Sequence, residues 1–165
     1  MKITTNGIKL CFDEKTLAFA IQKKDGCVWK WDESYAPCLE CEEGTLFFAD
    51  AGEIRHEEYH TGTGDGILST YRGFVGKAEE GAYEFQTLVW AEGAAGEVYF
   101  EWIPVREEGL KVKKVFWPGP MEFRENRKDW YTLLTQRQGM LIPNTWEIPL
   151  KPLAFDGFFG TAGAY

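Results

Sequence analysis

The residues with the most obvious chemistry are His56-Glu57-Glu58-Tyr59-His60, an H-E-x-x-H string. On a helix its two histidines would face one way and bind zinc, with the glutamate as general base. The neighbours argue against a helix. Gly52 stands before the string and Thr61-Gly62-Thr63-Gly64 follows it directly. Glu58 would put a charge where metallopeptidases carry an apolar helix face. The chain has only two histidines, so no third imidazole completes a site. The spacing itself is neutral, because residues i and i+4 share a face on a strand as well. The string reads as a solvated strand or loop, and neither a metal nor a cofactor is assigned.

The other reactive groups are weaker candidates. Cys38-Leu39-Glu40-Cys41 has a C-x-x-C spacing, but Cys11 and Cys27 are sixteen residues apart, which is not a ribbon or finger pattern. The four read as free thiols, with Cys11 and Cys27 on strands and Cys38 and Cys41 in a loop. A glycosidase needs two carboxyls facing each other across a sugar. Among the acids, Glu42-Glu43, Glu57-Glu58, Glu79-Glu80 and Glu107-Glu108 are adjacent doublets. Neighbours on a strand point to opposite faces, so a doublet is a solvated turn or edge. No catalytic acid is assigned. Gly62-Thr63-Gly64-Asp65-Gly66 lacks the following Lys-Ser/Thr of a phosphate loop, and no G-x-S-x-G elbow occurs.

The seven tryptophans offer a different chemistry. Sugars present C–H faces that stack on flat rings while polar neighbours bind their hydroxyls. Trp117 beside Pro118 at a strand end, Trp130, and Trp146 between Asn144 and Glu147 are the candidate carbohydrate contacts. Packing in a core or between domains is the default role of any single Trp.

Composition narrows the partners. The net charge is -8, from 26 acids against 18 bases. Nucleic acid and anionic membrane both need a basic face, so neither is expected as a partner, whereas neutral carbohydrate stays open. No stretch approaches the roughly 20 apolar residues of a spanning helix. Met1 to Gly7 is not a secretory signal, which makes the cytoplasm the simplest compartment.

The elements that must position these residues are strands. Ile8 to Phe12, Leu17 to Ile21 and Cys27 to Trp31 alternate or run apolar, with turns at Asp13-Glu14-Lys15 and Lys24-Asp25-Gly26. Residues 32 to 44 are acidic and read as irregular, and Gly62 to Gly66 as too glycine-rich for regular structure. Thr45 to Ala49, Ile67 to Phe74, Leu110 to Trp117, Trp130 to Thr135 and Gln138 to Ile142 are further strands. The strongest hairpin is Tyr83 to Trp90 with Glu97 to Pro104. In its second arm Val98, Phe100 and Trp102 share one face and Tyr99, Glu101 and Ile103 the other, which predicts cover on both sides. No window holds an apolar period of 3.6 residues. The chain reads as all-β, an antiparallel two-sheet β-sandwich.

Its last residues do not read as an ending. Phe155, Phe158, Phe159 and Tyr165 stand among glycines with no charge after Asp156. The chain is therefore expected to be the N-terminal piece of a larger protein. Residues 1–143 would be a β-sandwich domain and 144–165 an interdomain connection. In isolation that apolar segment would fold back on the sandwich or be buried against another copy, giving a dimer.

Several segments resemble the N-terminal domain of large bacterial glycoside hydrolases. They are Ile3 with Ile8-Lys9-Leu10, Leu17-Ala18-Phe19-Ala20-Ile21, Asp25-Gly26-Cys27-Val28-Trp29, Val115-Phe116-Trp117-Pro118, and above all Gln138-Gly139-Met140-Leu141-Ile142-Pro143-Asn144-Thr145-Trp146. The nearest group is the endo-α-N-acetylgalactosaminidase-like glycoside hydrolases. The resemblance implies a supersandwich similar to galactose mutarotase, packed against a catalytic (β/α)8 barrel that follows residue 165. It carries over no catalytic residue. The expected function is a non-catalytic domain that braces the barrel and contributes to carbohydrate binding. The alternatives are a free-standing carbohydrate-binding module and a mutarotase-like sugar epimerase.

Overall fold

The structure, a computed structural model, describes residues 1–5, 7–24, 26, 28–74, 83–92, 96–108, 110–123, 131–134 and 140–143. In chain order the strands are β1 (Lys2–Thr5), β2 (Ile8–Phe12), β3 (Phe19–Lys23), β4 (Val28–Trp31), β5 (Cys38–Cys41), β6 (Gly44–Phe47), β7 (Glu53–His60), β8 (Gly64–Arg72), β9 (Tyr83–Glu92), β10 (Glu97–Glu107), β11 (Val112–Phe116), β12 (Met121–Phe123), β13 (Tyr131–Leu134) and β14 (Met140–Pro143). A single 3-10 turn, Phe48–Asp50, is the one helical element among the described residues. The chain divides into two compact units, Met1–Phe123 and Arg124–Tyr165.

Among its described residues the first unit holds three sheets. Their orders are β1-β2-β3-β4-β12, β10-β9-β8-β7 and β11-β5-β6. Every pairing is antiparallel. The second unit contributes the antiparallel hairpin β13–β14, with Leu133 opposite Leu141. This is the all-β, antiparallel sandwich that the strand pattern predicts.

Alternation decides which side chains meet. On β9, Tyr83, Phe85, Thr87, Val89 and Ala91 are buried. On β8, Ile67, Ser69 and Tyr71 point the same way, and on β2 Ile8, Leu10 and Phe12 do so. These residues share one continuous core with Leu39, Cys41 and Leu46 of the three-stranded sheet. Aromatic rings bridge the layers. Phe12 lies 4.7 Å edge-on to His56, and Trp31 lies 5.4 Å from Phe100. Phe48 sits 4.7 Å from Phe85 and 5.1 Å from Tyr71.

Four expectations are corrected. The third strand begins at Phe19 rather than Leu17, because Leu17 has a φ of 58 and belongs to the turn after β2. Residues 38–41 form a strand, so Cys38 and Cys41 are not in a loop. Acidic side chains conceal it, since Glu40 takes the solvent face while Leu39 is fully buried. Gly64 and Gly66 lie inside β8, although glycine-rich sequence usually breaks a strand. A Cβ on Gly66 would come within 2.7 Å of the Trp90 Cα, so that close approach requires glycine. Finally, β10 is covered on one face only, with Tyr99 and Glu101 exposed on the other.

Phe85 is fully buried and contacts Phe48, Tyr71, Phe74, Tyr83 and Trp102. Phe85→Ala is expected to cost about 3–5 kcal/mol. A urea titration followed by Trp fluorescence would measure it, and a loss below about 1 kcal/mol would mean that the core does not rest on this ring.

Candidate functional site

The H-E-x-x-H string lies on β7, in extended backbone. Four residues at roughly 3.3 Å each put His56 and His60 about 13 Å apart, too far to share a metal. Among the described residues, no three His, Cys, Asp or Glu side chains gather where they could hold one. The two histidines have separate roles. His56 packs between Phe12 and Tyr71, and its Nδ1 lies 2.8 Å from the Ser69 Oγ. Burial holds its pKa below the ordinary value of 6.5, outweighing the pull of Glu14 in the other direction. His60 is exposed. Its Nδ1 lies 2.8 Å from the Asp65 Oδ1, and that hydrogen bond raises its pKa.

Two cavities among the described residues are small. One of about 240 Å³ opens between Met1, Phe12, Phe19 and Lys30, and one of about 190 Å³ is lined by Ile21, Lys23, Trp29, Gly96, Val98 and Phe100. Both fall below the roughly 300–1,000 Å³ of ordinary ligand pockets. Trp29 at the second cavity carries Lys23 Nζ 5.4 Å above its ring.

The outer face of the four-stranded sheet carries an aromatic row. Inward burial of Thr87, Val89 and Ala91 turns Trp90 outward, and inward Val98 and Phe100 turn Tyr99 outward. Register then places Tyr59, Gly66, Trp90 and Tyr99 side by side across β7, β8, β9 and β10. The Trp90 and Tyr99 rings stack at 4.6 Å with 17° between planes. The Trp90 ring leans toward β8, where a Cβ on Gly64 would sit 3.1 Å from its Cε3. Carboxylates tie the polar ends. Trp90 Nε1 donates to the Glu101 Oε1 at 3.3 Å, and the Tyr99 hydroxyl donates to Glu97. That bond pushes the Tyr99 pKa up to about 12. Glu92 stands opposite Glu97 in the next row.

The outer face of the three-stranded sheet is different. Register aligns Phe116, Cys38 and Phe47 in one row. Phe47 is 41% exposed and Phe116 40%, so this row is apolar and open. The neighbouring row carries Lys114 and Glu40, paired at 3.4 Å.

Of the carbohydrate contacts read from sequence, only Trp117 lies among the described residues. It follows β11, is half-buried, and packs edge-on against Trp31 at 6.2 Å and Phe100 at 5.9 Å. Trp130, Asn144, Trp146 and Glu147 lie outside the described residues, as do the interdomain residues Phe155, Phe158, Phe159 and Tyr165. The Trp90–Tyr99 pair escaped the sequence reading. The signal was there, since pairing the predicted hairpin arms in register sets Trp90 opposite Tyr99.

No protein-family model matches the chain, and no curated protein does. Solved structures do. The chain is similar to α-N-acetylgalactosaminidase NagBb from Bifidobacterium bifidum in its GalNAc complex, with 39% identity over 88% of this chain and a TM-score of 0.73. The complex of that protein with Gal-NHAc-DNJ gives 38% identity, the same coverage and a TM-score of 0.73. Its ligand-free form gives 38% and 0.69. The chain spans about a quarter of those structures, 23% of the first. The similarity is thus to one domain-sized part of a larger glycoside hydrolase, as the resemblance in the sequence implied.

His56 makes stability depend on pH. Its folded-state pKa is lowered, so its contribution is fully present above the ordinary value of 6.5 and is lost as pH falls through the folded value. His60 is raised and works in the opposite sense, present below 6.5 and lost at higher pH. His56→Gln removes the first effect alone. Thermal unfolding of both proteins from pH 7.5 down to 5 should show the wild type losing more stability than the variant. Parallel pH curves would contradict this role for His56.

Proposed function

We propose that this chain is a non-catalytic β-sandwich domain of a larger glycoside hydrolase that acts on α-linked N-acetylgalactosamine, and that it braces the catalytic part and contributes to carbohydrate binding. One observation carries the reading: 39% identity across 88% of this chain to an α-N-acetylgalactosaminidase of which the chain covers 23%. The chemistry within the described residues supports the non-catalytic part. Glu57 and Glu58 point to opposite faces of β7, and each has a basic neighbour, Arg55 at 2.9 Å and His60 at 3.7 Å. Glu42 and Glu43 occupy the turn between β5 and β6.

The Phe47–Cys38–Phe116 row supports the bracing role. Two phenylalanines about 40% exposed on one flat row are costly in water. Interface cores are depleted of charge and enriched in such aromatic residues. The rest of the hydrolase is the partner that this row fits.

Two measurements test the proposal. The isolated chain should not hydrolyse an aryl α-N-acetylgalactosaminide, whereas the longer polypeptide that carries it should. Turnover by the isolated chain would overturn the non-catalytic reading, and inactivity of the longer protein toward this substrate would overturn the assignment to that hydrolase. For the brace, Phe47→Asp with Phe116→Asp should leave the melting of the isolated chain nearly unchanged. In the longer protein the same pair should lower it by several degrees, about 2–4 °C for each kcal/mol of interface stabilisation removed. An unchanged melting temperature there would remove this row from the interface.

A further inference from the structure

We propose that the outer face of the β7–β10 sheet is a carbohydrate-binding surface, on which the Trp90–Tyr99 stack meets the C–H face of a neutral glycan and the Glu97 and Glu101 carboxylates accept hydrogen bonds from its hydroxyls. The inference rests on the carbohydrate reading above and gives it a site.

The first argument is preorganisation. The two rings stack on one another at 4.6 Å, and each is held at its polar end by a carboxylate. Rings fixed in this way lose little rotamer freedom when a ligand arrives. Both stand on paired strands, and Gly64 and Gly66 leave room on β8 for the Trp90 ring to lean. Tyr99 remains 36% exposed, so the stack has an open side.

Charge gives the second argument and names the ligand class. Glu92, Glu97 and Glu101 border the stacked pair. Ionised carboxylates only accept hydrogen bonds. They suit hydroxyl donors, to which they bind more strongly than a neutral acceptor does. They repel carboxylated or sulfated sugars. The cations of this face lie further along it, where Arg55 engages Glu57 at 2.9 Å, Arg72 engages Glu53 at 2.6 Å, and Arg106 stands opposite Glu84. A glycan with many hydroxyls and no negative charge fits this pattern.

The third argument is contrast and size. A protein-docking patch has an apolar centre, which the Phe47–Phe116 row supplies. Here carboxylates reach the aromatic rings themselves. From Tyr59 to Tyr99 the row crosses three strand spacings, roughly 14 Å. That length suits a short oligosaccharide better than a single ring.

The test titrates the 165-residue chain with a neutral N-acetylhexosamine trisaccharide and, separately, with a sialylated one. Calorimetry and indole fluorescence read the binding. Saturable binding of the neutral trisaccharide is expected, with little or none of the sialylated one. Tyr99→Ala and Glu101→Gln, both at exposed positions, should keep the near-ultraviolet circular dichroism of the fold and weaken binding by about tenfold or more. Trp90→Ala should abolish it.

Absence of binding by the folded chain would overturn the proposal, as would binding unchanged in Tyr99→Ala. So would a dimer in sedimentation that Tyr99→Ala dissolves, since the face would then be occupied by a second copy. The two readings fail separately. A longer protein that cleaves the aryl galactosaminide while the chain binds no glycan would sink this site alone. An inactive longer protein would sink the assignment of the hydrolase and leave the binding result standing.

Discussion

The structure depends on aromatic rings that reach across the gap between sheets. Stacked sheets sit about 10 Å apart, a distance that large side chains from both inner faces must fill. Phe85 stands at the centre of this packing, stacked with Tyr71 at 4.9 Å and tilted against Phe48 at 4.7 Å. A second chain of rings runs from Phe12 through Phe19 and Trp31 to Phe100. These contacts hold short strands, several only four residues long, that could not be stable as isolated hairpins.

The inner faces constrain the outer ones. A strand has a period of two, so burying Thr87, Val89 and Ala91 forces Leu88 and Trp90 outward. Leu88 is only 5% exposed, yet it lies outside the continuous core, as a residue on the opposite face must. A one-residue slip of β9 would bury Trp90 and Glu92 and expose Phe85. The core therefore fixes the register, and the register lines up Tyr59, Gly66, Trp90 and Tyr99. The same logic on β5 buries Leu39 and Cys41 and leaves Cys38 between Phe47 and Phe116.

This explains what could be read from the sequence and what could not. The β9–β10 hairpin was legible because its arms alternate over many residues and a glycine-bearing turn joins them. The strand at Gly64 and Gly66 was not, because the reason for glycine there is a neighbour on another strand, Trp90. Leu17 reads as the start of a strand by its apolarity, and only its left-handed backbone assigns it to a turn. Strand β5 was hidden because its outward Glu40 made the segment look like a loop. The aromatic face was legible only in part, for a related reason. Trp90 and Tyr99 look like two of many aromatic residues until their strands are paired, and Tyr59 joins them only through a third strand. Trp117 was singled out from its own sequence context, but that context does not disclose the two rings, Trp31 and Phe100, against which it packs.

The two unlike outer faces of the four- and three-stranded sheets would suit the proposed domain beside a catalytic one. A free sugar contact on a sheet surface is weak, because much of the ligand stays in water. Its value rises when the same polypeptide also holds the reaction site, since the second contact then becomes intramolecular at a high effective concentration. That gain requires the domain to be held at a set position, which is what an apolar row such as Phe47–Phe116 provides once covered. With the roles proposed above, the two surfaces would depend on one another. Without the brace, the acid-rimmed aromatic face would be a weak binder on a loose tether. Without that face, the brace would hold a domain with no ligand of its own. Both follow from a single property of the chain, the set of aromatic side chains that each strand turns toward the core.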